Sequence, residues 1–211
     1  MKHWIFDFDG TLANTDGFFT QTLGYALEPY DIPINVAFIE SIRHKHPDRL
    51  FEDHLEPEQM ESAMKRLAES GRVVAETTEL YSGIPEVLET IMSKGGSVSI
   101  WTGRDLESTE YILHKCGVHG LFKKIMSGSC VEINKPGHDG LIEIQKFYNS
   151  QSDEMVMIGD HHHDIGPANA LGLISVHAKW KAKPVELPKK MEPNHQFDST
   201  VEFHNWINET L

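Results

Sequence analysis

Apolar positions along the 211-residue chain follow two different rhythms. Residues 3–8, His3-Trp4-Ile5-Phe6-Asp7-Phe8, form a short apolar run that reads as a first strand. From about Thr15 to Tyr81 the spacing is helical, with no comparable apolar strand. Phe18, Leu23 and Leu27 sit at helix-like offsets before Pro29 and Pro33, and Val36, Ile39 and Ile42 extend toward His46 and stop at Pro47. Leu50 to Leu55 is a short piece. Pro57-Glu58 opens a helix carrying Met60, Met64 and Leu67 that ends near Gly71, and a fourth helical piece covers Arg72 to Leu80.

After Gly83 helix and strand alternate. Helices are expected from Pro85 to Lys94, from Asp105 to Cys116, from Pro136 or Asp139 through Phe147, and from Asp164 to Leu171. Strands are expected at Ser97–Trp101, Lys124–Met126, Met155–Ile158 and Leu173–Val176. Lys181 to Pro193 reads as a surface loop before a last helix at Val201–Ile207. Repeated units of this size imply an α/β fold, a doubly wound and mainly parallel sheet, with an all-helical insertion. The expected division is a core of residues 1–14 and 82–211 and an inserted segment of residues 15–81.

Composition narrows the partners. The 39% hydrophobic and 24% charged content is ordinary for a globule, and the net charge of -13 would repel nucleic acid or an anionic membrane. A small phosphate is still compatible with an acidic chain if a metal and a few cations dominate locally. Cys116 and Cys130 do not make a disulfide framework. The N-terminal apolar run is too short for a signal peptide, and no stretch approaches the roughly 20 apolar residues of a membrane span. The expected setting is cytoplasmic.

Three apolar strands finish with a polar group and a glycine: Asp7/Asp9-Gly10, Thr102-Gly103 and Gly159-Asp160. In an open parallel sheet the carboxyl ends of strands line the ligand crevice, so these three ends meet there although they are far apart in sequence. Asp7 and Asp9, two apart on a strand, face the same way and require a cation or a shared proton. The alternative for this stretch alone is a solvated turn after an edge strand. Glycines admit a close backbone approach, following helix N-termini offer N–H groups to an anion, and Lys135 adds a compact positive charge. Carboxylates together with a phosphate point to Mg2+ as the cation.

Asp7-Phe8-Asp9-Gly10-Thr11-Leu12, Thr102-Gly103-Arg104, Lys135-Pro136 and Gly159-Asp160-His161-His162-His163-Asp164 resemble, in order, the four motifs of the haloacid dehalogenase-like hydrolase superfamily. The resemblance is nearest to phosphoglycolate-phosphatase-like and β-phosphoglucomutase-like members, whose helical cap lies between the first two motifs. It implies Asp7 as nucleophile forming an aspartyl-phosphate, and Asp9 as general acid and then general base. It implies Phe8, Gly10, Thr11, Thr102, Gly103 and Lys135 around the phosphoryl group. Mg2+ would be held by Asp7, the Asp9 carbonyl, Asp160 and Asp164. The implied function is a phosphatase for a small phosphorylated metabolite, phosphoglycolate or a sugar phosphate; the alternatives are a phosphomutase and a non-catalytic binding protein.

Four features are left with two readings each. Consecutive His161, His162 and His163 resemble a metal cluster, but they are expected not to converge on one ion, and imidazole suits zinc better than magnesium; the other reading is loop residues of which one touches substrate. Arg43 and its basic neighbours through Arg49 either meet an anionic substrate or form a solvated helix face. Phe18 and Phe19 line an entrance or pack between cap and core. Arg104 contacts substrate or pairs with an acid of the cap.

Overall fold

The structure, a computed structural model, describes residues 1–42, 50–128 and 130–211. The chain divides into two compact units, residues 1–15 with 78–211, and residues 16–77. The first unit is built on β1 (His3–Phe6), β4 (Ser97–Trp101), β5 (Phe122–Met126), β6 (Met155–Gly159), β7 (Ile174–Ala178) and β8 (His195–Phe197). They form one sheet in the order β5-β4-β1-β6-β7-β8, with every neighbouring pair parallel. Helices α4 (Ile84–Ser93), α5 (Leu106–Lys115), α6 (Asp139–Tyr148), α7 (His162–Leu171) and α8 (Thr200–Thr210) connect and cover it.

Burial on both faces explains the unbroken apolar runs. All five residues of β6 are buried, as are Trp4, Ile5 and Phe6 of β1. Alternation sends Trp4 and Phe6 to one face, where each meets the Phe203 ring edge-on at 6.3 Å. Ile5 goes to the other, in a cluster with Trp101, Leu141, Ile144 and Met157. The helices follow the expected stripes, with Ile84, Val87, Leu88 and Ile91 buried on α4. Asp105 caps α5 by accepting the Ser108 N–H at 2.8 Å.

The second unit contains α1 (Phe18–Leu27), α2 (Val36–Ile42) and α3 (Pro57–Thr77). Its own core includes Leu23, Leu27, Phe38, Ile42, Phe51 and Ala63. Arg66 ties α3 to α1 by donating to the Tyr25 carbonyl from Nε at 3.0 Å and Nη2 at 2.7 Å. The stripe reaching His46, and the basic cluster from Arg43 to Arg49, lie outside the described residues.

Two expectations are corrected. α3 does not stop at Gly71 but runs through it to Thr77, so Arg72–Leu80 is no separate helix. A glycine inside a helix costs only about 1 kcal/mol, which the flanking packing outweighs. Glu79–Leu80 is strand rather than helix: this short β3 pairs antiparallel with β2 (Ala13–Asn14), which brings Thr78–Tyr81 into the sheet-containing unit. The stretch around His195 is an edge strand, too short and too polar to be read from alternation. The Ile5→Ala variant should lose about 2–5 kcal/mol of unfolding free energy in a urea titration. Ile133→Ala, at a position 59% exposed, should stay within about 0.5 kcal/mol of the parent.

Candidate active site

The carboxyl ends of β1, β4 and β6 are adjacent because β1 lies between the other two. Asp7 follows β1 directly, and its N–H donates to the Ile158 carbonyl at 2.8 Å, extending the ladder one step. Its side chain is therefore held at the strand end, and it is buried. The chain then turns over the Phe8 carbonyl, which accepts the N–H groups of Leu12 at 3.0 Å and Ala13 at 2.9 Å. Gly10 sits in this turn at φ 78°, and a Cβ there would come within 2.6 Å of Asp160 Oδ2. Both the backbone conformation and the space exclude a larger residue.

Asp160 follows β6, and Asp164 lies in the first turn of α7. Asp164 Oδ2 accepts the His161 N–H at 3.1 Å, a reciprocal cap that fixes the carboxylate at the helix start. A Cβ on Gly159 would lie 2.3 Å from the Asp164 side chain, so this glycine lets helix and strand end close on one another. Asp7, Asp160 and Asp164 are all buried, and each offers an oxygen within 4.8 Å of the others.

Two ammonium groups stand against these three carboxylates. Lys135 Nζ donates to Asp7 Oδ1 at 2.6 Å and to Asp164 Oδ1 at 2.5 Å, and lies 4.6 Å from the Trp101 ring centroid. Lys181 Nζ pairs with Asp160 Oδ2. Burial pushes the Asp7 carboxyl well above its ordinary value; Lys135 opposes the shift, and Asp164 and Asp160 add to it. Asp160 is raised by burial against the pull of Lys181. For Lys135 burial works downward, but Asp164 and Asp7 outweigh it and hold its pKa above the usual lysine value.

The remaining residues singled out in the sequence fall as follows. Thr102 is buried, and its Oγ1 accepts the Arg104 N–H at 3.1 Å. Gly103 lies beside Asn134, whose Nδ2 would be 3.8 Å from a Cβ there. Phe8 and Thr11 are buried, and the Thr11 hydroxyl has no hydrogen-bond partner among the described residues. Arg104 clamps Asp9, with Nη2 2.6 Å from Oδ1 and Nε 3.1 Å from Oδ2. Its guanidinium carbon also lies 5.6 Å from the Phe8 ring centroid. Phe18 opens α1 and is half-buried within the helical unit. Arg43 lies outside the described residues. The histidines depart from expectation, since the turn into α7 gathers ring nitrogens of His161, His162 and His163 within 4.8 Å of one another.

Sequence reasoning missed Lys181, placing it in a solvated loop. The loop is instead anchored by Trp180, whose Nε1 donates to the Thr11 carbonyl at 3.0 Å. The usable signal was a further strand end: β7 finishes just before Lys179-Trp180-Lys181, a cation-bearing exit beside the three polar ones.

The raised Asp7 value fixes a pH dependence. The folded chain binds this proton more tightly than the unfolded chain, so metal-free stability falls as pH rises above 3.8 toward the raised folded value. In EDTA at pH 7, Asp7→Asn should melt at least about 2 °C higher than the parent by calorimetry, and the gap should close toward pH 4.

A family model described as haloacid dehalogenase-like hydrolase matches residues 4–178. The pyrophosphatase PpaX of Bacillus mycoides strain KBAB4 is 24% identical over 199 residues, which cover 92% of this chain and 91% of that one. A crystal structure from Haemophilus somnus 129PT, described as a predicted phosphoglycolate phosphatase, superposes with a TM-score of 0.82 at 18% identity, covering 98% of this chain and 97% of that one. One from Thermotoga maritima, assigned as a β-phosphoglucomutase, superposes with a TM-score of 0.84 at 20% identity over the whole of both chains.

Proposed function

The chain belongs to the haloacid dehalogenase-like hydrolase family, and on that premise we propose that it is a Mg2+-dependent phosphatase acting on a small phosphomonoester through Asp7. The observation that carries this reading is the sealed cluster of Asp7, Asp160 and Asp164 bridged by Lys135. Three carboxylates this close and this buried suit a hard divalent cation, and the missing Cβ of Gly10 leaves the backbone close to Asp160. Asp7, Asp160 and Asp164 would hold Mg2+, with the Asp9 carbonyl as the fourth protein ligand implied by the family motif. The ion would offset negative charge on the attacking carboxylate and on the phosphoryl oxygens.

In the first step an Asp7 carboxylate oxygen bonds to phosphorus as the bond to the ester oxygen breaks. Asp9, in its protonated form, gives its proton to the leaving oxygen. In the second step Asp9 takes a proton from water, the water oxygen bonds to phosphorus, and the acyl-phosphate bond breaks to regenerate Asp7. Lys135 keeps the Asp7 carboxylate oriented and supplies positive charge as the phosphoryl group passes. The Thr102 hydroxyl and the Gly103 N–H are the proposed holders of the transferring oxygens, with the turn of Phe8, Gly10 and Thr11 on the other side. Arg104 positions Asp9 by holding both of its carboxylate oxygens.

Phosphoglycolate or a sugar phosphate is the favoured substrate on family resemblance, and the PpaX relatives add inorganic pyrophosphate to the set worth testing. The test is inorganic-phosphate release from these three classes with Mg2+, with EDTA and with Asp7→Asn. Release should require the metal and drop at least about 10³-fold in the variant. Undiminished turnover by Asp7→Asn would end the covalent mechanism. The likeness to the Thermotoga structure keeps a phosphomutase as second reading. A mutase would release little phosphate and isomerise a sugar phosphate only when primed with the bisphosphate.

A further inference from the structure

The mechanism above makes no use of the three histidines that follow Asp160. His161 is the residue before α7, and His162 and His163 are its first two. Their ring centroids lie 4.0 Å (His161–His162), 4.4 Å (His161–His163) and 4.2 Å (His162–His163) apart. His161 Nδ1 accepts the His163 backbone N–H at 3.3 Å, which places the proton of the neutral ring on Nε2; coordination through Nε2 takes the other tautomer and gives up this long hydrogen bond. Neither His162 nor His163 commits a ring nitrogen to a hydrogen bond with another described residue.

Three imidazoles packed this closely repel one another if protonated. Neutral imidazole nitrogens are ligands for borderline transition ions and poor ones for Mg2+. An ion with metal–nitrogen bonds of about 2.0–2.1 Å needs its nitrogens roughly 3.0–3.4 Å apart. Here they already lie within 4.8 Å, and all three side chains are only half-buried, so modest ring rotations close the gap.

Charge around the cluster is mixed. Lys181 near His161, Lys135 near His163 and the positive end of α7 oppose a cation, and Asp164 favours one. A helix end contributes only about 0.3–1 kcal/mol, small beside three metal–nitrogen bonds. We propose that His161, His162 and His163 form a second cation site, separate from the carboxylate cluster, taking a divalent transition ion of the zinc or nickel class through three imidazole nitrogens.

The test uses the untagged, EDTA-stripped chain held in excess Mg2+, titrated with Ni2+ by calorimetry, and Cu2+ bound to the same protein examined by electron paramagnetic resonance. The expected result is one Ni2+ per chain and nitrogen hyperfine structure on Cu2+. Affinity should fall at least about tenfold in the double variant His162→Gln/His163→Gln, which keeps the His161 cap. His114→Gln should change nothing; its ring stacks on His119 at 3.8 Å, and that pair offers only two ligands. No binding below about 100 µM Ni2+, displacement of Ni2+ by Mg2+, unchanged affinity in the double variant, or a Cu2+ spectrum without nitrogen coupling would each overturn the proposal. The spectrum of the parent protein decides the matter even if the double variant folds poorly.

Discussion

Everything at the carboxyl edge of the sheet depends on one ammonium group, that of Lys135, shared between Asp7 and Asp164. Three buried carboxylates in contact are untenable by themselves, because neither water nor distance screens their repulsion. Lys135 joins the end of β1 to the start of α7, and Lys181 meets Asp160 from the far side. The cations come from loops, and the anions sit at strand ends or in a helix's first turn. The sheet fixes where negative charge accumulates, and the loops are folded down onto it by that charge. A site arranged this way is held in place by the electrostatic imbalance that its chemistry would use.

Two glycines set how tightly the arrangement closes. Without Gly10 the first turn could not lie against Asp160, and without Gly159 the first turn of α7 could not press on β6. Close approach of backbone, rather than any special side chain, brings carboxylates from residues 7, 160 and 164 within reach of one another. The layers beneath are ordinary close packing: Trp4 and Phe6 against Phe203 on one face, and Ile5 with Leu141 and Ile144 on the other. That packing gives the strand ends a rigid base.

Much of this was legible in the order of residues. Apolar runs ending in Asp-x-Asp-Gly, Thr-Gly and Gly-Asp announce parallel strands with a polar mouth, and the observed β1, β4 and β6 have those ends. Asp7, Asp160 and Lys135 were readable locally once the sheet was inferred, whereas Asp164 was reached only through the motif resemblance. What escaped depends on geometry that local pattern does not carry. Lys181 looks like one lysine among several in a Pro-rich loop until Trp180 is seen donating to Thr11. Gly71 looks like a stop, yet the packing of α3 overrides its weak preference. The three histidines seem unable to meet on an extended or helical backbone; at the junction between the two, φ of −129° at His161 swings its ring back over the first turn.

The sheet order also dictates when the site can exist during synthesis. The chain enters the sheet at its centre: β1 must wait for β4, and Asp7 must wait for Lys135, 128 residues later, before its charge is answered. Asp164 and Lys181 come later still. A ribosome-bound chain that has made the whole helical unit and half of the sheet therefore carries the Asp7 carboxylate without these partners. The charge cluster is completed late and all at once, and a chain released early lacks it altogether.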